Sequence, residues 1–195
     1  MFELDIDDKQ YNFKLYQCPF IENNHKELIQ DLELAFSRFD FVFNGPDSTN
    51  FYRYYNFFQL TAGSVNYHKI FKNLIPVVKD YVGEEKPLWF QCWVNRHSPE
   101  AVLKRHNHQD TTCFGYISID PKESETVFDN YSIKNKIGQL YIGPNETYHE
   151  VKVLKNYTGK RITVGFDVMD ENIYRNLTQN KIKNNVDINI GYWPI

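Results

Sequence analysis

Lys160-Arg161-Ile162-Thr163-Val164-Gly165-Phe166-Asp167-Val168-Met169 alternates with a period of two. One face is Ile162, Val164, Phe166 and Val168, and the other begins Arg161, Thr163, Gly165. Successive side chains of an extended chain point to opposite sides, so this stretch predicts a strand with one apolar and one mixed face. Leu88 to Asn95 reads the same way, with Leu88, Phe90, Cys92 and Val94 against Trp89, Gln91, Trp93 and Asn95. The apolar faces suit packing against helices, and the mixed faces suit lining a barrel mouth that holds a small polar ligand.

Other strand candidates lie between these two, at 106–110, 114–120, 126–128, 138–142 and 150–154, broken by turns such as Asp120-Pro121 and Gly143-Pro144-Asn145. The region before Pro87 has a helical texture. From Asn24 to Phe39, Leu28, Ile29, Leu32, Ala35, Phe36 and Phe39 recur on one helical face. A second amphipathic stretch opens at Ser64, a candidate N-cap, carries Tyr67, Ile70, Phe71, Leu74, Val77, Val78 and Tyr81 on or near one stripe, and ends at Gly83. Pro76 inside it predicts a kink or break. Asn44 to Ser48 is a turn, and Phe51 to Leu60 is either strand or extended loop. The expectation is a mainly β, α+β chain in one domain. Residues 1–86 give an N-terminal strand and helical support, 87–170 the β core, and 171–195 a C-terminal extension.

The chain has 195 residues, 42% of them hydrophobic, enough for a full core and incompatible with disorder. A net charge of −3 argues against broad nucleic-acid binding, which needs clustered Lys and Arg. Cys18, Cys92 and Cys113 are odd in number and lack C-x-x-C spacing, so a disulfide framework or zinc knuckle is not indicated. With an acidic N-terminus and no apolar run of membrane-spanning length, the expectation is a cytoplasmic protein with no membrane partner.

Read as a strand, His106-Asn107-His108-Gln109-Asp110 puts His106, His108 and Asp110 on one face. Imidazole nitrogen with carboxylate oxygen suits divalent iron, and two histidines plus a carboxylate leave coordination positions open. His149, after a Gly-Pro turn, is the candidate for the remaining ligand. Arg161 leads the mixed face of the following strand with Thr163 beside it, a planar fork and a hydroxyl suited to a dicarboxylate. His25, His68 and His97 read as structural or exposed, and Trp89 and Trp93 as core.

The order His108-x-Asp110, His149, Arg161-Ile162-Thr163 resembles the H-x-D … H … R-x-S/T signature of the Fe(II) and 2-oxoglutarate-dependent oxygenases, in particular the prolyl-hydroxylase-like group. A bacterial and phage branch of that superfamily is similar over roughly residues 88–169, through Trp93-Val94-Asn95, His106-Asn107-His108, Phe114-Gly115-Tyr116, Gly138-Gln139-Leu140, Pro144, His149 and Arg161-Ile162-Thr163. The resemblance implies a double-stranded β-helix, or jelly roll, backed by helices. It implies Fe(II) as cofactor, 2-oxoglutarate and O2 as co-substrates, and hydroxylation as the reaction.

The histidine pair reads in two registers. Under H-x-D the ligands are His108, Asp110 and His149, favoured because a carboxylate offsets the metal charge; under H-x-H, His106 takes part and Asp110 is peripheral. Arg161 and Thr163 would hold the far carboxylate of 2-oxoglutarate, with Tyr116, Tyr141 and Asn95 as further co-substrate contacts. The rival readings are a cupin-type metal-binding protein on the same fold, and a non-catalytic β-sandwich binding or structural protein. No residue names the primary substrate.

Overall fold

Two antiparallel sheets face each other, and the chain winds back and forth between them. The computed structural model describes residues 1–38, 55–83, 87–101, 103–184 and 191–195. Strands β1 (Glu3–Asp8), β2 (Phe13–Gln17), β3 (Leu88–His97), β4 (Cys113–Asp120), β7 (Gln139–Pro144), β9 (Arg161–Asp170) and β10 (Trp193–Pro194) form the larger sheet, in the order β1-β2-β7-β4-β9-β3-β10. Strands β5 (Ser124–Phe128), β6 (Ser132–Lys134) and β8 (His149–Val153) form the smaller one, in the order β6-β5-β8. A single antiparallel bridge between His106 and His149 widens the smaller sheet at its β8 edge.

From β3 onward the path therefore runs large, small (His106), large (β4), small (β5, β6), large (β7), small (β8), large (β9). That alternation is the winding of a double-stranded β-helix, a jelly roll.

The expected alternation of faces holds across the larger sheet. Phe90, Cys92 and Val94 of β3, Ile117 of β4, Leu140 and Ile142 of β7, and Val164, Phe166 and Val168 of β9 are buried in one cluster with the helices. Each such side chain contributes about 1.5–3 kcal/mol when fully buried. The helices that cover this face are α1 (Pro19–Asn23), α2 (His25–Ser37), α3 (Phe57–Leu60) and α4 (Val65–Val82). Helix α2 buries Leu28, Leu32, Ala35 and Phe36; α4 buries Tyr67, Ile70, Leu74 and Val78. Ser64 caps α4 by accepting from Tyr67 N, and Gly83 ends it at φ 70°, a left-handed conformation that favours glycine. At Gly115 of β4 a Cβ would lie 2.2 Å from the Phe166 ring and 2.3 Å from the Tyr141 carbonyl oxygen, so only glycine fits there.

Several expectations need correction. Of the kink or break expected at Pro76, the break is absent: helix α4 runs on through Pro76 to Val82. The described part of the undecided segment is neither strand nor loop at Phe57–Leu60 but the short helix α3, started by Asn56, whose side chain accepts from Phe58 N. The same Asn56 donates to the carbonyls of Phe90 and Gly191, 3.1 and 3.0 Å away, contacts that no local pattern encodes. Phe39, the turn at 44–48 and residues 51–54 lie outside the described residues.

The segment 106–110 is not a strand. After the bridge at His106 the chain turns back: Thr111 N and Oγ1 both donate to the His108 carbonyl, and the Asn145 amide donates to the carbonyls of Gln109 and Thr111. The other strand candidates are strands with ends shifted by one or two residues. The C-terminal extension is a helix, α5 (Glu171–Lys183), capped by Asp170, followed by β10. All three cysteines are free and buried. Among the described residues no helix is long and apolar enough to cross a membrane.

Candidate metal centre and co-substrate pocket

The inward faces of β9, β3 and β4, the loop around His106 and the start of β8 enclose a cavity of about 670 Å³. Cross-strand register sets its layers. Arg161 of β9 faces His97 of β3; Thr163 lies between Asn95 and Ser118; Gly165 between Trp93 and Tyr116; Asp167 between Gln91 and Phe114. A Cβ on Gly165 would come within 2.9 Å of the Trp93 indole, so glycine makes room for that ring in the cavity wall.

His106, His108 and His149 each offer a ligand nitrogen within 4.8 Å of the others. The His106–His149 bridge holds two of them together through backbone bonds of 3.0 and 2.9 Å. His108 comes in because its amide donates to the Asn145 carbonyl at 3.0 Å.

All three Nδ1 atoms face oxygen. His106 Nδ1 is 2.8 Å from the Lys104 carbonyl, His149 Nδ1 is 3.5 Å from the Thr147 carbonyl, and His108 Nδ1 is 2.7 Å from Asp167 Oδ1. Such contacts favour the Nδ1–H tautomer and leave each Nε2 lone pair for a metal. The Phe114 ring stacks on His108 at 4.4 Å and on His149 at 4.7 Å, within 10° of parallel to both.

Burial keeps His106 and His149 neutral. Burial pushes His149 down to about 3, and neighbouring His106 and His108 push the same way. Burial also lowers His106, against the opposing pull of the Lys104 carbonyl. A neutral imidazole is the form that binds metal. The donor set therefore fits a divalent transition metal.

Asp110 is exposed in the turn; it lines the cavity but stands outside the group of three.

Away from the histidines the cavity turns polar. Arg161 is 3% exposed, with Nη2 2.6 Å from His97 Nδ1; burial lowers its pKa, against the pull of nearby Tyr157. Asn95 Nδ2 donates to Thr163 Oγ1 at 3.3 Å. The Tyr116 hydroxyl is buried near Thr126 without a well-formed hydrogen bond, while Thr126 itself donates to Asn135 Oδ1. Tyr141 is not brought to the cavity. Its hydroxyl pairs with Tyr131 at 3.0 Å inside an aromatic cluster with Phe128 and Phe114.

Sequence reasoning missed Asp167, Phe114 and the contact of His97 with Arg161. Parity offered the signal for two of them, since Asp167 continues the face of Arg161, Thr163 and Gly165, and Phe114 shares the face of Tyr116.

No family model matches this chain, and no curated protein matches it. Solved structures similar to it include an oxidoreductase of the 2OG-Fe(II) oxygenase family from Burkholderia pseudomallei, at 13% identity and a TM-score of 0.42, over 53% of this chain and 57% of that one. A prolyl-4-hydroxylase from Pseudomonas putida is 14% identical with a TM-score of 0.41, over 55% of this chain and 68% of that one. A cupin-2 domain containing protein from Shewanella frigidimarina is 15% identical with a TM-score of 0.32, over 40% and 69%. Likenesses this slight leave the chemistry of the site to be read from its own residues.

Proposed function

We propose that this protein is a non-haem Fe(II), 2-oxoglutarate-dependent dioxygenase that hydroxylates its substrate, with His106, His108 and His149 holding the iron. The observation that carries this reading is one cavity lined both by three clustered imidazoles, each with its Nδ1 toward an oxygen, and by the buried pair Arg161 and Thr163. The overall reaction consumes 2-oxoglutarate, O2 and a substrate C–H, and yields succinate, CO2 and a substrate C–OH. Iron, when bound, supplies the redox chemistry that couples these changes.

The chain's own residues do the rest. The backbone bridge and the Phe114 ring fix the imidazole planes. Arg161 receives the far carboxylate of 2-oxoglutarate through its planar fork, and the hydroxyls of Thr163 and Tyr116 add hydrogen bonds. The unsatisfied Tyr116 hydroxyl is itself a reason to expect a polar ligand there, because a buried polar group without a partner costs about 1–3 kcal/mol. Trp93 and Phe114 shield the cavity from water.

A second reading, a cupin-type metal centre without 2-oxoglutarate chemistry, is favoured by one observation: among the described residues no carboxylate joins the group of three. The two readings part in one assay. Fe(II)-dependent conversion of 2-oxoglutarate to succinate, even uncoupled from substrate, is expected here and abolished in His149→Ala. Tight metal binding with no succinate would refute the dioxygenase reading and favour the cupin.

A further inference from the structure

Asp167 is a carboxylate in the wall of an otherwise aromatic and imidazole-lined part of the cavity. It is 7% exposed, faces inward from β9 and is flanked in register by Phe114 and Gln91. Its Oδ1 lies 2.7 Å from His108 Nδ1, close but not aligned as a hydrogen bond. The buried cation on this face of β9, Arg161, is in the layer of His97 and in contact with it. Burying a carboxylate is costly unless it is paired.

We propose that Asp167 is the positioning carboxylate of the metal centre: it accepts the Nδ1 proton of His108, aims Nε2 at the metal and supplies negative charge that three imidazoles lack. Asp167 is not itself a ligand, since it does not join His106, His108 and His149 in their group. Partners of this kind orient a ligand and raise its basicity, and their loss costs about 10–100-fold in metal affinity. The assignment explains how the site reaches a favourable charge although Asp110 lies outside the cluster. It rests on metal binding by the three histidines and is independent of whether 2-oxoglutarate is the co-substrate.

Charge and hydrogen bonding separate by substitution. Asp167→Asn keeps an oxygen acceptor and loses the charge; Asp167→Ala loses both; Asp167→Glu keeps the charge at a shifted position. Co(II) is the probe, because its visible spectrum reports coordination number as well as affinity. Expected is a graded loss, with Asp167→Asn about tenfold and Asp167→Ala about a hundredfold weaker than wild type. Asp167→Glu lies between wild type and Asp167→Ala, with the coordination number unchanged throughout.

Urea unfolding of the metal-free proteins gives the second readout. Asp167→Asn should be as stable as wild type or more so, because it removes a buried charge. A purely packing role predicts lower stability in the metal-free protein with undiminished Co(II) affinity, and that result would overturn the proposal. Loss of one donor from the Co(II) spectrum would overturn it too, by making Asp167 a ligand. Failure of the dioxygenase reading looks different: wild type and variants bind Co(II) in the expected order, yet no succinate forms with Fe(II). Wild type that binds no Co(II), or binds it equally after His149→Ala, overturns both.

Discussion

Replacing Arg161 by Ala probes the co-substrate assignment where the structure makes the strongest demand. The guanidinium is 3% exposed and 2.6 Å from His97 Nδ1, and it lines the same cavity as the histidines. A charge-assisted hydrogen bond contributes about 1.5–3 kcal/mol, and each 1.4 kcal/mol is tenfold, so losing the fork should weaken 2-oxoglutarate about 10–100-fold. The buried partners of Arg161 are left behind, which costs a further 1–3 kcal/mol or so of folding stability.

These two losses are separable. Stability is read by urea unfolding without ligand, and affinity by anaerobic titration of 2-oxoglutarate into metal-loaded protein. Metal affinity is the internal control and should stay near wild type, because Arg161 lies in the layer of His97, away from the three clustered histidines. Arg161→Lys should recover only part of the affinity, since an ammonium restores charge without the bidentate geometry. A folded Arg161→Ala protein that binds 2-oxoglutarate as tightly as wild type would refute the reasoning and leave the cupin-type reading in place.

Three further outcomes are expected. His106→Ala should lose metal while Asp110→Ala keeps it within severalfold, measured by metal titration; the reverse ranking would return the site to the H-x-D register. Gly115→Ala should lower stability by more than about 3 kcal/mol in urea unfolding, well beyond an ordinary substitution, because its Cβ would sit 2.3 Å from the Tyr141 backbone oxygen, which cannot swing aside as a side chain could. Ser64→Ala should cost about 1 kcal/mol in the same assay, through loss of the cap on Tyr67 N, with no change in metal affinity.

Alternation in Lys160 to Met169 and Leu88 to Asn95, with helical periodicity in 24–39 and 64–83, was enough to determine a β structure backed by helices. It also determined which side chains face inward. These are local facts: a period of two or of 3.6 is written in consecutive residues and survives any tertiary arrangement that buries one face. Arg161 and Thr163 were legible as residues of the mixed face for the same reason, Tyr116 only through the family resemblance, and the motif order brought His108 and His149 into one hypothesis.

The choice between Asp110 and His106 was not legible. It turns on whether the chain continues extended past His108, and the Asn145 side chain, which binds the carbonyls of Gln109 and Thr111, accompanies a turn there. That contact joins residues far apart in sequence, as do the bridge between His106 and His149 and the approach of Asp167 to His108. Tyr141 fell the other way, drawn into an aromatic cluster with Phe114, Phe128 and Tyr131. The sequence by itself determined which faces exist and which residue types they carry. Only the tertiary structure decided which of those residues meet, because register between strands and the path of the loop after His108 depend on long-range hydrogen bonds that no local pattern encodes.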